Sequence, residues 1–179
     1  MWLTLAFASA ALLGLYDVAK KRALTANAVL PVLLLNTLFS SLLFLPVILS
    51  AERGLGWFDG TVLASVPGMP AAHGLVALKS SIVLTSWIFG YFAMKHLPLT
   101  IVGPINATRP VLVLVGAMAL FGERLNAWQW TGVVLALVSL VLLGRSSRRE
   151  GVDFVRNRWV LCLAAAAMTG AASGLYDKY

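Results

Sequence analysis

Apolar runs of about twenty residues, cut by short charged clusters, recur along the whole chain, and a helix needs that length to cross a bilayer. The first run, Trp2–Tyr16, is short and completes its crossing by borrowing Asp17–Ala19, ahead of the basic stop Lys20-Lys21-Arg22. Later runs extend the pattern, so the sequence predicts transmembrane helices at about 2-19, 28-50, 73-94, 98-121 and 128-144, with Trp159–Tyr176 opening a sixth. Between the second and third lies a loop, Ala51–Ala72, rich in Gly and carrying Glu52, Arg53 and Asp59, with Trp57-Phe58 suited to an interface. Residues 146-158 read as a basic loop. With 60% hydrophobic residues and a mean hydropathy of +0.87, no polar surface could cover these runs in water. The predicted fold class is an all-α, multi-pass integral membrane protein surrounded by the lipid bilayer.

The net charge of +7 would suggest a nucleic-acid partner in a soluble chain. Here the basic residues flank spans, so no nucleic acid is expected and the charges bear on orientation. The loops after the first, third and fifth spans hold nine Lys and Arg, against two, Arg53 and Arg124, after the second and fourth. That asymmetry puts the N-terminus outside, although Lys20–Arg22 as the wet end of a cavity helix would weaken it. Cys162 is alone and lies in an apolar run, which points to inert burial rather than chemistry.

The tetrapeptide Gly-Leu-Tyr-Asp occurs twice, at Gly14–Asp17 and Gly174–Asp177, in a chain with only four Tyr. At the same offset Leu3/Leu163, Ala6/Ala166 and Ala11/Ala171 also coincide, so the chain reads as one complete unit, 1-145, followed by the opening of a second at 159-179. An odd number of spans per unit inserts the second unit upside down, the arrangement of inverted repeats in secondary transporters. The expectation is half of a ten-helix inverted-repeat transporter, seen as a truncated second repeat. Were Tyr179 the natural end, a complete cavity would call for a partner or a homo-oligomer. Gly170 and Gly174, matched by Ala10 and Gly14, space small residues for close helix contact.

The fourth span holds the residues that are costly in lipid. Starting the helix after Pro110 would leave 11 residues, roughly 17 Å against a hydrocarbon core of about 30 Å, so the span includes Gly103–Arg109. Arg109 then lies near the midplane, where it costs about 2.5–3.5 kcal/mol on insertion scales. Pro104 and Pro110 are helix-breaking candidates, and irregular backbone at that depth belongs against protein or a cavity. Asn106, Arg109, Val113 and Gly116 share one face. Either this face lines a central cavity and Arg109 holds a carboxylate or phosphate, or Arg109 bonds carbonyls freed by the prolines. In the third span, Lys79 shares a face with Ser86 and Gly90, and serves either a cavity or a snorkelling role. Trp87 and Tyr91 are spaced as a packing pair or a substrate platform. Asp17 is the candidate coupling carboxylate, with a local pair to Lys20 or Lys21 as the alternative. No enzyme is expected: His73 and His96 form no motif, and there is no Cys cluster, nucleophile elbow or phosphate loop. No cofactor and no metal are expected either.

Leu97-Pro98-Leu-Thr through Gly103-Pro104, then Pro110, Gly122-Glu123 and Gln129-Trp130-x-Gly132 resemble the EamA domain of the drug/metabolite transporter superfamily, well over about 73–145 and more loosely before. The resemblance implies ten helices in two inverted five-helix repeats around a cavity lined by helices three, four, eight and nine. It implies movement of small metabolites, amino acids, nucleotide sugars or drugs by alternating access, or, in some relatives, flipping of lipid-linked sugars. The resemblance therefore implies a permease or exporter of a small molecule in a bacterial inner membrane. A lipid-linked headgroup flippase and a non-transporting scaffold or assembly subunit are the alternatives. Arg109 is not a general residue of that family, and characterised relatives keep both termini in the cytoplasm, so orientation stays open.

Overall fold

The computed structural model describes residues 2–61, 63–64, 70–122, 124–147 and 157–177, and these form helices joined by turns, with no strand among them. The helices are α1 (Trp2–Ala26), α2 (Val29–Glu52), α3 (Pro70–His96), α4 (Leu99–Ala107), α5 (Arg109–Phe121), α6 (Ala127–Ser147) and α7 (Arg158–Tyr176). Four of them, α1, α2, α3 and α7, are long and apolar enough to span a membrane singly. α4 and α5 together make one more such span, Leu99–Phe121, while the apolar part of α6 is shorter, Ala127–Leu142. Glu123, most of the basic loop (Arg148, Arg149 and Arg156 included) and Tyr179 lie outside the described residues.

Local chemistry sets the helix ends. α1 continues a full turn beyond the expected stop because Lys20 to Ala26 contains good helix formers and no breaker. It closes where the Asn27 side-chain amide donates to the Ala23 carbonyl at 2.9 Å. Gly122 ends α5 in the left-handed conformation, φ 66°, which glycine adopts without steric cost. Asn126 and Gln129 form a reciprocal capping box at the start of α6: Gln129 N–H donates to Asn126 Oδ1 at 2.8 Å, and Asn126 N–H donates to Gln129 Oε1 at 2.9 Å. The Gln of the Gln-Trp-x-Gly signature thus starts a helix.

The fourth span breaks once. α4 runs through Pro104 without interruption, and the break falls at Thr108, just before Arg109 and Pro110. Pro110 has no N–H to offer the Asn106 carbonyl and its ring crowds that turn, so the helix restarts with proline in its first turn. Pro104 therefore does not break the helix as the sequence suggested.

α7 packs chiefly on α3 and α5, and the buried core joins α1, α2, α3, α4 and the first turns of α7. Lys21 donates to the Met94 and Leu97 carbonyls at 2.6 and 2.9 Å, and Lys95 donates to the Asn27 carbonyl at 2.9 Å. His96 stacks on Trp159 at 3.6 Å. One end of the bundle therefore gathers the C-terminal ends of α1 and α3 with the N-terminal ends of α2, α4 and α7. At the other end the Tyr176 hydroxyl donates to the Leu75 carbonyl at 3.4 Å and Asp177 pairs with Lys79. α7 consequently runs antiparallel to α1, and the two Gly-Leu-Tyr-Asp copies point in opposite directions. The outer faces of α1, α2 and α6 remain apolar and bare, with Phe7 72% and Trp128 85% exposed, as helices facing lipid require.

Candidate functional site

A cleft of about 580 Å³ opens between α1, α3 and the α4–α5 span. Its polar walls are Tyr16, Asp17 and Lys20 from α1, Trp87 and Tyr91 from α3, and Asn106 and Arg109 at the helix break. The break places Arg109: ten residues beyond Leu99, it lies roughly 15 Å into the span at 1.5 Å per residue. Its guanidinium rests on α7 where Gly170 leaves room. A Cβ on Gly170 would stand 3.2 Å from Arg109 Cζ, 3.3 Å from Nε and 3.1 Å from Ser86 Oγ. Arg109 Nε and Asn106 Oδ1 are both buried and have no hydrogen-bond partner. Arg109 Nε therefore makes no hydrogen bond to the carbonyls around the two prolines.

Asp17 pairs with Lys20 at 2.9 Å, the local partner three residues on. The Lys20 ammonium also lies 4.5 Å from the Tyr16 ring centroid and 5.2 Å from that of Tyr91, within range of a cation–π attraction. The two phenol oxygens meet at 3.3 Å, and Asn36 from α2 donates to the Tyr16 hydroxyl at 3.3 Å. Lys21, at the basic end of α1, turns inward and binds carbonyls at the end of α3, which have no helical donors of their own.

Asn106, Arg109, Trp87, Tyr91 and Asp17, expected from the sequence to be functional, come together in this cleft. Lys79 and Ser86 do not. α7 covers Ser86, whose Oγ donates to the Ala166 carbonyl at 2.7 Å, and the Gly90 position lies 3.8 Å from Ala166 Cβ, while Lys79 stays partly exposed and pairs with Asp177. The outer half of the α5 face is likewise a helix contact, because Val113 packs on Gly174 and Leu175 presses on Gly116. Polar or small residues at helical spacing could not distinguish a cavity wall from a close interface. Among the described residues no group of three or more His, Cys, Asp or Glu is disposed to hold a metal ion.

Helices long enough to cross a bilayer, one broken at mid-depth beside a charged cleft, define a multi-pass membrane protein of the transporter kind. The chain belongs to the EamA-like transporter family, which it matches over residues 1–145. No curated protein and no solved structure matched it.

Proposed function

We propose that the chain serves a secondary transporter of a small anionic metabolite or amino acid, with Arg109 taking the carboxylate or phosphate of its substrate. One observation carries this reading: Arg109 Nε is buried at the wall of the cleft, in the middle of a span, without a partner. An unpaired donor at that depth is costly, and an anion entering the cleft relieves the cost through a charge-assisted bond. The orphan Asn106 Oδ1 suits a donor carried by the same ligand. Asp17 is the coupling candidate, because its carboxylate shares the cleft and is held by one local ion pair. Exposure of this cleft to one side of the membrane and then the other constitutes alternating access.

The test is uptake by the full-length protein in proteoliposomes against a panel of small carboxylates, phosphates, amino acids and neutral solutes. Saturable uptake confined to anions or zwitterions supports the proposal. Crossing of a labelled lipid headgroup without solute uptake replaces it with a flippase, and neither activity replaces it with a scaffold.

A further inference from the structure

A second cavity, about 500 Å³, lies between α1 and α2 and reaches Asn27 at the turn that joins them. It shares three lining residues with the Arg109 cleft: Tyr16, Lys20 and Tyr91. These three are also bound to one another, phenol to phenol at 3.3 Å and ammonium over both rings. They stand as a wall between the cleft and the basic end of the bundle. Each bond in the wall is weak and exchangeable. A phenol pair at 3.3 Å is long for an O–H to O hydrogen bond, and a cation–π contact with a solvated ammonium is weak. The wall joins two different helices, so a small separation of α1 from α3 at Tyr16 and Tyr91 would merge the cavities.

We infer that Tyr16, Tyr91 and Lys20 form a gate that closes the Arg109 cleft toward the Asn27 end and opens by parting of the two tyrosines. The gate belongs to the first Gly-Leu-Tyr-Asp copy. The second copy makes the corresponding contact at the opposite end of the same helix, where Tyr176 bonds the Leu75 carbonyl and Asp177 pairs with Lys79. Tyrosine and aspartate of each copy thus fasten a helix to α3 or support that fastening, one copy at each end. Lys20 gives the gate its charge: its ammonium is bound by Asp17 and seated on the rings, so a change at Asp17 reaches the gate through one side chain.

The inference rests on the transport reading for its purpose, but its test uses no substrate. In full-length protein with Cys162→Ser, a single reporter Ala107→Cys is placed on the cleft wall. A membrane-impermeant cationic thiol reagent is then applied from the side on which a separate Asn27→Cys control reacts. The Ala107→Cys thiol should react slowly in this background. It should react about tenfold faster when Tyr91→Ala removes one ring and one hydroxyl. Tyr91→Phe, which keeps the ring, should give a smaller rise and guards against a folding artefact. Unchanged Asn27→Cys reactivity in each variant is part of the expected result. Reaction of Ala107→Cys as fast as Asn27→Cys without a gate substitution overturns the gate, as does a rate that neither tyrosine variant changes. Failure of the transport reading would appear as absent uptake with this labelling pattern intact.

Discussion

Gly170 lies under Arg109: a Cβ there would stand 3.2 Å from Arg109 Cζ, closer than the guanidinium can accept without moving. The small-residue spacing of α7 therefore does more than bring two helices together. It leaves the space in which a mid-membrane cation can lie.

Gly170→Ala is expected to push Arg109 and Ser86 away from α7. Overpacking of this kind costs about 1–3 kcal/mol, against roughly 0.5–1 kcal/mol gained by replacing a helical glycine. Thermal unfolding in detergent should show the loss, and transport should fall further than the stability change accounts for. Gly174→Ala, which meets Val113 at 3.1 Å, should cost similar stability with a smaller loss of transport.

Gly116 faces the Leu175 side chain across the α5–α7 contact. Gly116→Ala should destabilise the protein, and adding Leu175→Ala should recover part of the loss. The coupling in a double-mutant cycle should lie at roughly 0.5–3 kcal/mol. Strict additivity would mean that the two residues do not meet in the folded protein.

Lys21 binds three carbonyls at the end of α3, those of Met94, Lys95 and Leu97. Lys21→Met keeps the length of the side chain and removes its donors, so unfolding should become easier by about 1.5–3 kcal/mol. Arg22→Met, at an exposed position on the next residue, should stay within about 0.5 kcal/mol of the native protein.

Asp17→Asn should uncouple transport from an imposed pH gradient while leaving exchange of substrate across the membrane intact. Comparing gradient-driven uptake with counterflow separates the two. Retention of full gradient-driven accumulation would remove Asp17 from the coupling role.

Much of the fold was legible because lipid imposes a simple requirement: long apolar runs become helices, and the runs could be read directly. The break in the fourth span was legible from its prolines, although only Pro110, not Pro104, interrupts the helix. A proline costs a helix little where neighbouring groups take over the freed carbonyl, and sequence spacing does not show that. Arg109 and Asn106, where polarity sits at mid-depth, do line the cleft. Lys79 and Ser86 lie outside that cleft, each bonded to α7, some eighty residues or more along the chain. Lys20 and Lys21 look alike in sequence and do different things, one seated on two tyrosine rings and the other on a helix end. Such differences depend on which helix lies alongside.

Arg109 is proposed to hold the anionic group of the substrate. The most direct test is uptake of the best solute from the proteoliposome panel by Arg109→Ala protein, reconstituted at the same level as native and shown to be folded by its unfolding transition. Uptake should be abolished, and Arg109→Lys should restore charge but little transport, because an ammonium lacks the two-pronged geometry of the guanidinium. Native uptake by folded Arg109→Ala protein would contradict it.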